Sequence, residues 1–249
     1  MRRLLAALLV VLSGGCKVDI SVGLHAGADG NGEVRVAAVL DEVAAERLGD
    51  PGTALRLDDL EGEGWVVDEP ERREDGSLVL SVRHRFDDIE EGERLLAAVG
   101  GDDASTGAAP LRDVEIEQHR GFFRTQTSVT GVVDLVRGVE SFGDAALTSA
   151  LGGQPLGVSV EQMERQLGAP FAEMFGLQVA VSLPGEVVAN APATSGDTAV
   201  WAPALGERLE LVADASQVNT RNVFLVLAAV VSWAVLAGLV VGRRVRGRR

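Results

Sequence analysis

Apolar runs without charge lie near both ends of this chain, and between them apolar and polar residues alternate with a period of two in several short stretches. Leu4–Leu12 is apolar and follows Arg2 and Arg3. Val223–Val241 holds 19 residues without a charge, and Arg243, Arg244, Arg246, Arg248 and Arg249 follow it. Inside, Val18, Ile20, Val22 and Leu24 alternate over Lys17–Leu24, which predicts a strand with one buried face. Asp29-Gly30-Asn31-Gly32 supplies turn residues, and Glu33–Leu40 returns as the second strand of a hairpin. Asp41–Leu48 then reads as a helix that Asp41 caps, Gly49 ends and Pro51 blocks from continuing. A further helical turn is expected at Thr53–Leu60.

The unit of two strands and a helix recurs. Trp65–Asp68 and Leu78–Arg85 are strands separated by a polar stretch with Asp75-Gly76. Asp87–Val99 is a helix with Ile89, Leu95, Leu96 and Val99 near one face, ended by Gly100-Gly101. Residues 102–110 read as a loop of small and polar types. Asp113–Arg120 and Phe122–Asp134 form a third strand pair, the second rich in threonine, valine and phenylalanine. Gly143–Gly153 reads as a short helix or a loop, and Ser159–Leu167 as a helix with a Ser159/Gln162 capping box. Phe175–Leu183 alternates as a strand into the turn Pro184-Gly185, Thr198–Trp201 and Leu209–Ala213 are late strands, and Val218–Asn222 is a short link. The expected fold class is α+β: a mainly antiparallel sheet built from strand pairs with interspersed helices, plus one C-terminal transmembrane helix.

The two ends address location. At 1.5 Å rise per residue, 19 residues cover roughly 28 Å, close to the hydrocarbon thickness of a bilayer. The arginines after the run place the C-terminus in the cytoplasm and the preceding domain outside. Leu4–Leu12 is too short to span and suits the apolar region of a secretory signal. This divides the chain into a signal peptide (1–15), an extracytoplasmic domain (16–222), a transmembrane helix (223–241) and a basic cytoplasmic tail (242–249). Cys16, the only cysteine, stands in Leu12-Ser13-Gly14-Gly15-Cys16, which resembles a bacterial lipobox. In such sites the cysteine is diacylated and becomes the mature N-terminus. A lipobox usually has Leu three residues before the cysteine, where this chain has Ser13, and Ser13 with Gly15 also fits ordinary signal peptidase. Both fates of Cys16 stay open. A lone cysteine excludes an intrachain disulfide, so packing must hold the fold.

Charge narrows the partners. All 37 acidic residues fall within residues 16–222, against 16 of the 23 basic ones, so that stretch carries a net charge of −21. Such a surface repels nucleic acid and as a whole does not bind an anionic bilayer by charge.

The order of elements resembles the LppM-type lipoprotein domain family of actinobacteria. The resemblance rests on a cysteine opening directly into a strand (Cys16-Lys17-Val18-Asp19-Ile20) and on the strand–strand–helix units that follow. It also rests on Val181-Ser182-Leu183-Pro184-Gly185, Asn190, Trp201 before a turn centred on Gly206, and a single span ending in arginines. It implies an α+β envelope domain that binds hydrophobic or lipid-like ligands, with no catalytic motif to carry across.

The residues themselves hold little catalytic chemistry. Asp29-Gly30-Asn31-Gly32-Glu33 begins like a calcium loop, but the sixth position is Val34 and the twelfth is Leu40, so it reads as a hairpin turn. Glu115, Glu117 and His119 share one face of a strand, where a solvated face outweighs a metal site. No Gly-x-Ser-x-Gly, His-Glu-x-x-His or phosphate-binding glycine loop is present. The reading is therefore a non-catalytic, membrane-tethered protein of the plasma membrane, with no cofactor and no metal, that binds a lipid, glycolipid or other hydrophobic ligand. Phe122, Phe123, Phe142, Phe171 and Phe175 are the candidate lining of its pocket. The alternative is a structural or assembly partner of another envelope protein. On this topology, protease added to intact protoplasts should remove residues 16–222 and leave a small membrane fragment ending in arginines; a protected domain would overturn it.

Overall fold

The computed structural model describes residues 17–51, 57–100, 109–138, 164 and 170–246, with side chains throughout except at 57–59, 171 and 234–246. The signal peptide, Cys16, Phe142, the segment Gly143–Gly153 and, but for the helical Glu164, Ser159–Leu167 lie outside the described residues.

Strand β1 (Val18–Ala26) pairs antiparallel with β2 (Gly32–Leu40), from Val18 opposite Leu40 to Ala26 opposite Gly32. The period-two pattern turns Val18, Ile20, Val22 and Leu24, with Val34, Val36, Ala38 and Leu40, into one buried face. A Cβ at position 32 would lie 2.1 Å from the His25 carbonyl oxygen and 2.3 Å from the Phe86 ring, so only glycine fits where β2 begins. Helix α1 (Glu42–Leu48) starts as expected: the Asp41 carboxylate accepts from the Ala44 amide at 2.8 Å. Its other oxygen accepts from the Lys17 amide at 2.7 Å, which pins the start of β1. Helix α2 (Leu57–Gly62) leads to the short strands β3 (Val66–Val67) and β4 (Glu71–Arg72), both paired with β5 (Leu78–Phe86). Helix α3 (Ile89–Gly100) buries Leu96 and Val99. At its start Asp88 accepts from the Glu91 amide, and Glu91 accepts from the Asp87 amide.

The hairpin β6 (Leu111–Arg120) and β7 (Arg124–Asp134) carries a bulge between Arg112 and Glu115, with Asp113 at φ 53°. After α4 (Phe171–Met174) come β8 (Phe175–Ser182), β9 (Glu186–Ala189), β10 (Ala193–Ser195), β11 (Thr198–Trp201) and β12 (Arg208–Val218). Helix α5 (Thr220–Arg246) follows β12. One sheet runs β10-β11-β8-β1-β2-β5-β3, with β4 beside β5; the other runs β6-β7-β12-β9. A single hydrophobic cluster takes residues from both sheets, α1 and α3.

The fold is α+β and rich in antiparallel pairs, as expected, with corrections. The central pair β1–β8 is parallel, from Val18 opposite Phe175 to His25 opposite Ser182. Strands so distant in sequence leave no turn signal to reveal their pairing. Strands β4, β9 and β10 were not foreseen, since short strands of mostly exposed residues carry no apolar alternation. Phe122 and Phe123 stand in the turn before β7, not in the strand. No link separates domain and helix: β12 runs to Val218 and α5 begins at Thr220.

The motif residues prove structural. Gly185 has φ 111°, and a Cβ there would come 2.6 Å from the Ser216 carbonyl oxygen, so the Leu183-Pro184-Gly185 turn passes tightly against β12. The Asn190 side-chain oxygen accepts from the Trp201 indole at 3.0 Å and from the Val212 amide at 3.1 Å, while its Nδ2 donates to the Glu210 carbonyl at 2.8 Å. Asn190 thus clamps the first sheet to β12. Trp201 is 2% exposed, so losing its acceptor leaves a buried N–H unpaired. Asn190→Ala should cost about 2 kcal/mol in urea unfolding. In a double-mutant cycle with Trp201→Phe the two losses should be sub-additive; strictly additive losses would show that the Asn190–Trp201 bond contributes nothing.

A second cluster ties the residue after β3 to β2 and β5 within the first sheet. Asp68 accepts from the Ser81 hydroxyl at 2.7 Å and from Arg35 at 2.9 Å, with Arg83 at 3.5 Å. The Ser81 hydroxyl, then the two arginines, hold its carboxyl below the usual range, against the opposing effect of partial burial. A lowered folded-state pKa stabilises above the unfolded value of about 4 and loses that contribution as pH falls through the folded value. Acid titration of unfolding should therefore show a stability loss below about pH 4 that is shallower in Asp68→Asn. Equal slopes in the two proteins would remove Asp68 from the acid response.

Candidate functional site

The second sheet has a buried and an open face. On β7, Thr125, Thr127, Val129 and Val133 are buried, so Gln126 and Ser128 between them point outward. Register then places two rows across all four strands. Glu117, Ser128, Asp214 and Val188 form one, and His119, Gln126, Ser216 and Glu186 the next. These residues, with Thr127 and Ala215, line an open groove of about 470 Å³. Three carboxylates and one imidazole face it, with amide and hydroxyl groups between. The lining suits a ligand rich in hydroxyl donors and disfavours an anionic one. Only Val188, 73% exposed, adds a large apolar surface.

His119 and Gln126 also line a second open groove, of about 640 Å³, with Gln118, Arg120, Gly121, Phe123 and Arg124. The two grooves therefore adjoin and lead to the tip of the β6–β7 hairpin. There Phe122 and Phe123 are 58% and 53% exposed and pack edge to face with ring centres 4.9 Å apart. Three hydrogen bonds tie the tip to the root of α5. The Asn219 amide donates to the Phe123 carbonyl at 2.8 Å, the Asn222 side chain to the Phe122 carbonyl at 2.8 Å, and the Asn219 side chain to the Gly121 carbonyl at 3.4 Å.

The five phenylalanines are not gathered into one pocket. Phe175 is buried in the core at the start of β8, whereas Phe122 and Phe123 stand exposed at the hairpin tip. Phe142 and the side chain of Phe171 lie outside the described residues. The separation follows from period-two alternation, which turns Phe175 inward beside Val18, and from the turn, which leaves its own side chains without a sheet to cover them. Glu115, Glu117 and His119 share an exposed face of β6, and among the described residues no three His, Cys, Asp or Glu side chains converge to hold a metal ion. Two carboxylates held below their usual range lie away from the groove, Asp68 and Asp75, the latter where the Ser77 hydroxyl and amide both donate. The reading from sequence missed Gln126, Ser128, Glu186, Asp214 and Ser216. Their signal is the polar alternation on the outer positions of β7 and β12, which has no meaning until the register joins the strands.

Helix α5 is 27 residues long, and its side chains are described as far as Trp233. Among the described residues no helix is long and apolar enough to cross a membrane.

No protein-family model matches the chain, and no curated protein matches it. Among solved structures it is similar to the NMR structure of the folded domain of LppM from Mycobacterium tuberculosis. The two are 12% identical with a TM-score of 0.44, over 84% of this chain and 95% of that one.

Proposed function

We propose that this chain is a membrane-anchored protein of the cell envelope, with its folded domain on the outer side and α5 as a single span. The supporting features are the uncharged run Val223–Val241, the arginines after it, and a helix whose length corresponds to roughly 40 Å. The folded domain leaves the apolar side chains of α5 uncovered: Phe224, Leu225, Leu227, Val230, Val231 and Trp233 are all exposed. A bilayer would cover them. Cys16 adds a lipid anchor if the lipobox is used.

The domain acts by binding, not by catalysis, and its ligand is the hydroxyl-rich headgroup of a membrane glycolipid. One observation carries this reading: the carboxylate-lined groove lies close to the root of α5. Asp214 and Ser216 precede Thr220 by six and four residues, which is roughly 20 and 13 Å of strand. A headgroup whose chains remain in the outer leaflet can reach that height. The lipid-like ligand expected from sequence is thus kept, but its contact moves from a phenylalanine pocket to a polar groove. A second reading, an envelope protein docked on the same face, is favoured by exposed Val188 at the groove edge.

The test uses the full chain in nanodiscs with and without a neutral glycolipid. Glycolipid should slow amide exchange in β7 and β12, and Asp214→Asn with Glu117→Gln should weaken binding roughly ten-fold or more, as expected for hydrogen bonds to charged acceptors. Unchanged affinity in that variant defeats the headgroup reading. Protection of the same strands by an envelope protein without glycolipid supports the second.

A further inference from the structure

We infer that the Phe122–Phe123 hairpin tip is a membrane-docking element that inserts into the interfacial zone of the outer leaflet beside α5. The inference rests on the reading that α5 spans the bilayer. Two adjacent phenylalanine rings, each more than half exposed, form an apolar knob on a domain whose other large aromatic side chains among the described residues, Trp65, Phe86, Phe175 and Trp201, are buried. The knob is not loosely attached. Asn219 and Asn222 bond the carbonyls of Gly121, Phe122 and Phe123, and Val218 pairs with Arg124, so the tip sits at the level where α5 begins. The uncharged run starts at Val223, within one helical turn of Thr220. A span that enters the hydrocarbon there holds both rings at the boundary between headgroups and acyl chains, where apolar side chains of peripheral elements settle. Arg120 and Arg124 flank the tip, and Arg221 lies in the first turn of α5. Within a stretch of net charge −21, these cations stand at the one end where anionic headgroups would meet them. Arg120 also bonds Gln118 at 2.7 Å and the Asp29 carbonyl, which braces the hairpin against the β1–β2 turn.

Tryptophan fluorescence of the full chain tests this in vesicles of phosphatidylcholine and phosphatidylglycerol. A fraction of the lipid carries a nitroxide quencher either near the headgroup or near the chain end. Trp65 and Trp201 are buried in the domain, while Trp233 is exposed on α5, so quenching of the unmodified protein by the deep label reports the span. Trp233→Phe removes that reporter. Phe122→Trp and, separately, Phe123→Trp are then added to the Trp233→Phe protein. The new tryptophan should emit at shorter wavelength on membrane insertion than in detergent-free denaturant, and should be quenched more by the shallow label than by the deep one. If neither added tryptophan is quenched beyond the Trp233→Phe background while Trp233 in the unmodified protein is, the docking inference is overturned and the span stands. If Trp233 itself escapes the deep label, the spanning reading fails and takes the inference with it.

Discussion

The pairing of β12 with β7 governs the rest of the structure. It runs in unbroken register from Arg208 opposite Asp134 to Val218 opposite Arg124, and α5 starts at Thr220. A paired strand is stiff along its length, so the helix does not leave the domain through a hinge. It leaves as the continuation of a central strand, with the partner hairpin bonded to its first turn through Asn219 and Asn222. The same strand pairs with β9 on its other side, and through Asn190 it reaches Trp201 of the first sheet. Whatever fixes α5 therefore fixes the height of the hairpin tip, of the groove above it, and of the core behind both.

Local chemistry is what a single sequence exposes, and the agreement between sequence and structure divides along that line. Asp41 caps α1 and Gly49 ends it at φ 68°, as their residue types demand. The β1–β2 hairpin follows from alternation plus Asp29-Gly30-Asn31-Gly32, and Gly30 takes φ 80°. These features involve neighbours in sequence. The β1–β8 pairing does not, and neither do the rows across β6, β7, β12 and β9 that make the groove. Glu117 and Asp214 share a face only because two registers bring them there. The phenylalanines illustrate the converse: grouping them by type ignored that alternation sends Phe175 into the core and that a turn leaves Phe122 and Phe123 outside.

Asn190 and Trp201 also change meaning once seen in place. In sequence they stand with Leu183-Pro184-Gly185 among the residues that carry the resemblance to an LppM-type domain, and that invites a functional reading. In the structure one side chain accepts from a buried indole and from the β12 backbone, while the glycine lets the turn pass the same strand. Their chemistry is that of satisfying buried donors between two sheets. The residues available to a ligand are instead the unremarkable Gln, Ser, Asp and Glu of an outer strand face.

The position of Lys17 bears on the proposed attachment to a membrane. Its amide is held by Asp41, and β1 runs from there through Val18 to Ala26, roughly 26 Å at strand rise. The far end of β1 lies beside the hairpin tip, since the Gly27 carbonyl accepts from Gln118 at 3.0 Å and the Asp29 carbonyl from Arg120. Lys17 is therefore a strand length away from the root of α5, and one residue of extended chain beyond it covers at most about 3.6 Å. If Cys16 carries acyl chains and α5 spans, both anchors reach the bilayer only when β1 lies along its surface. If the signal is removed by ordinary cleavage, β1 is free to stand away from the membrane with only the hairpin tip against it. The processing of Cys16 and the tilt of the domain are thus one physical question, because the rigid β1 strand connects them.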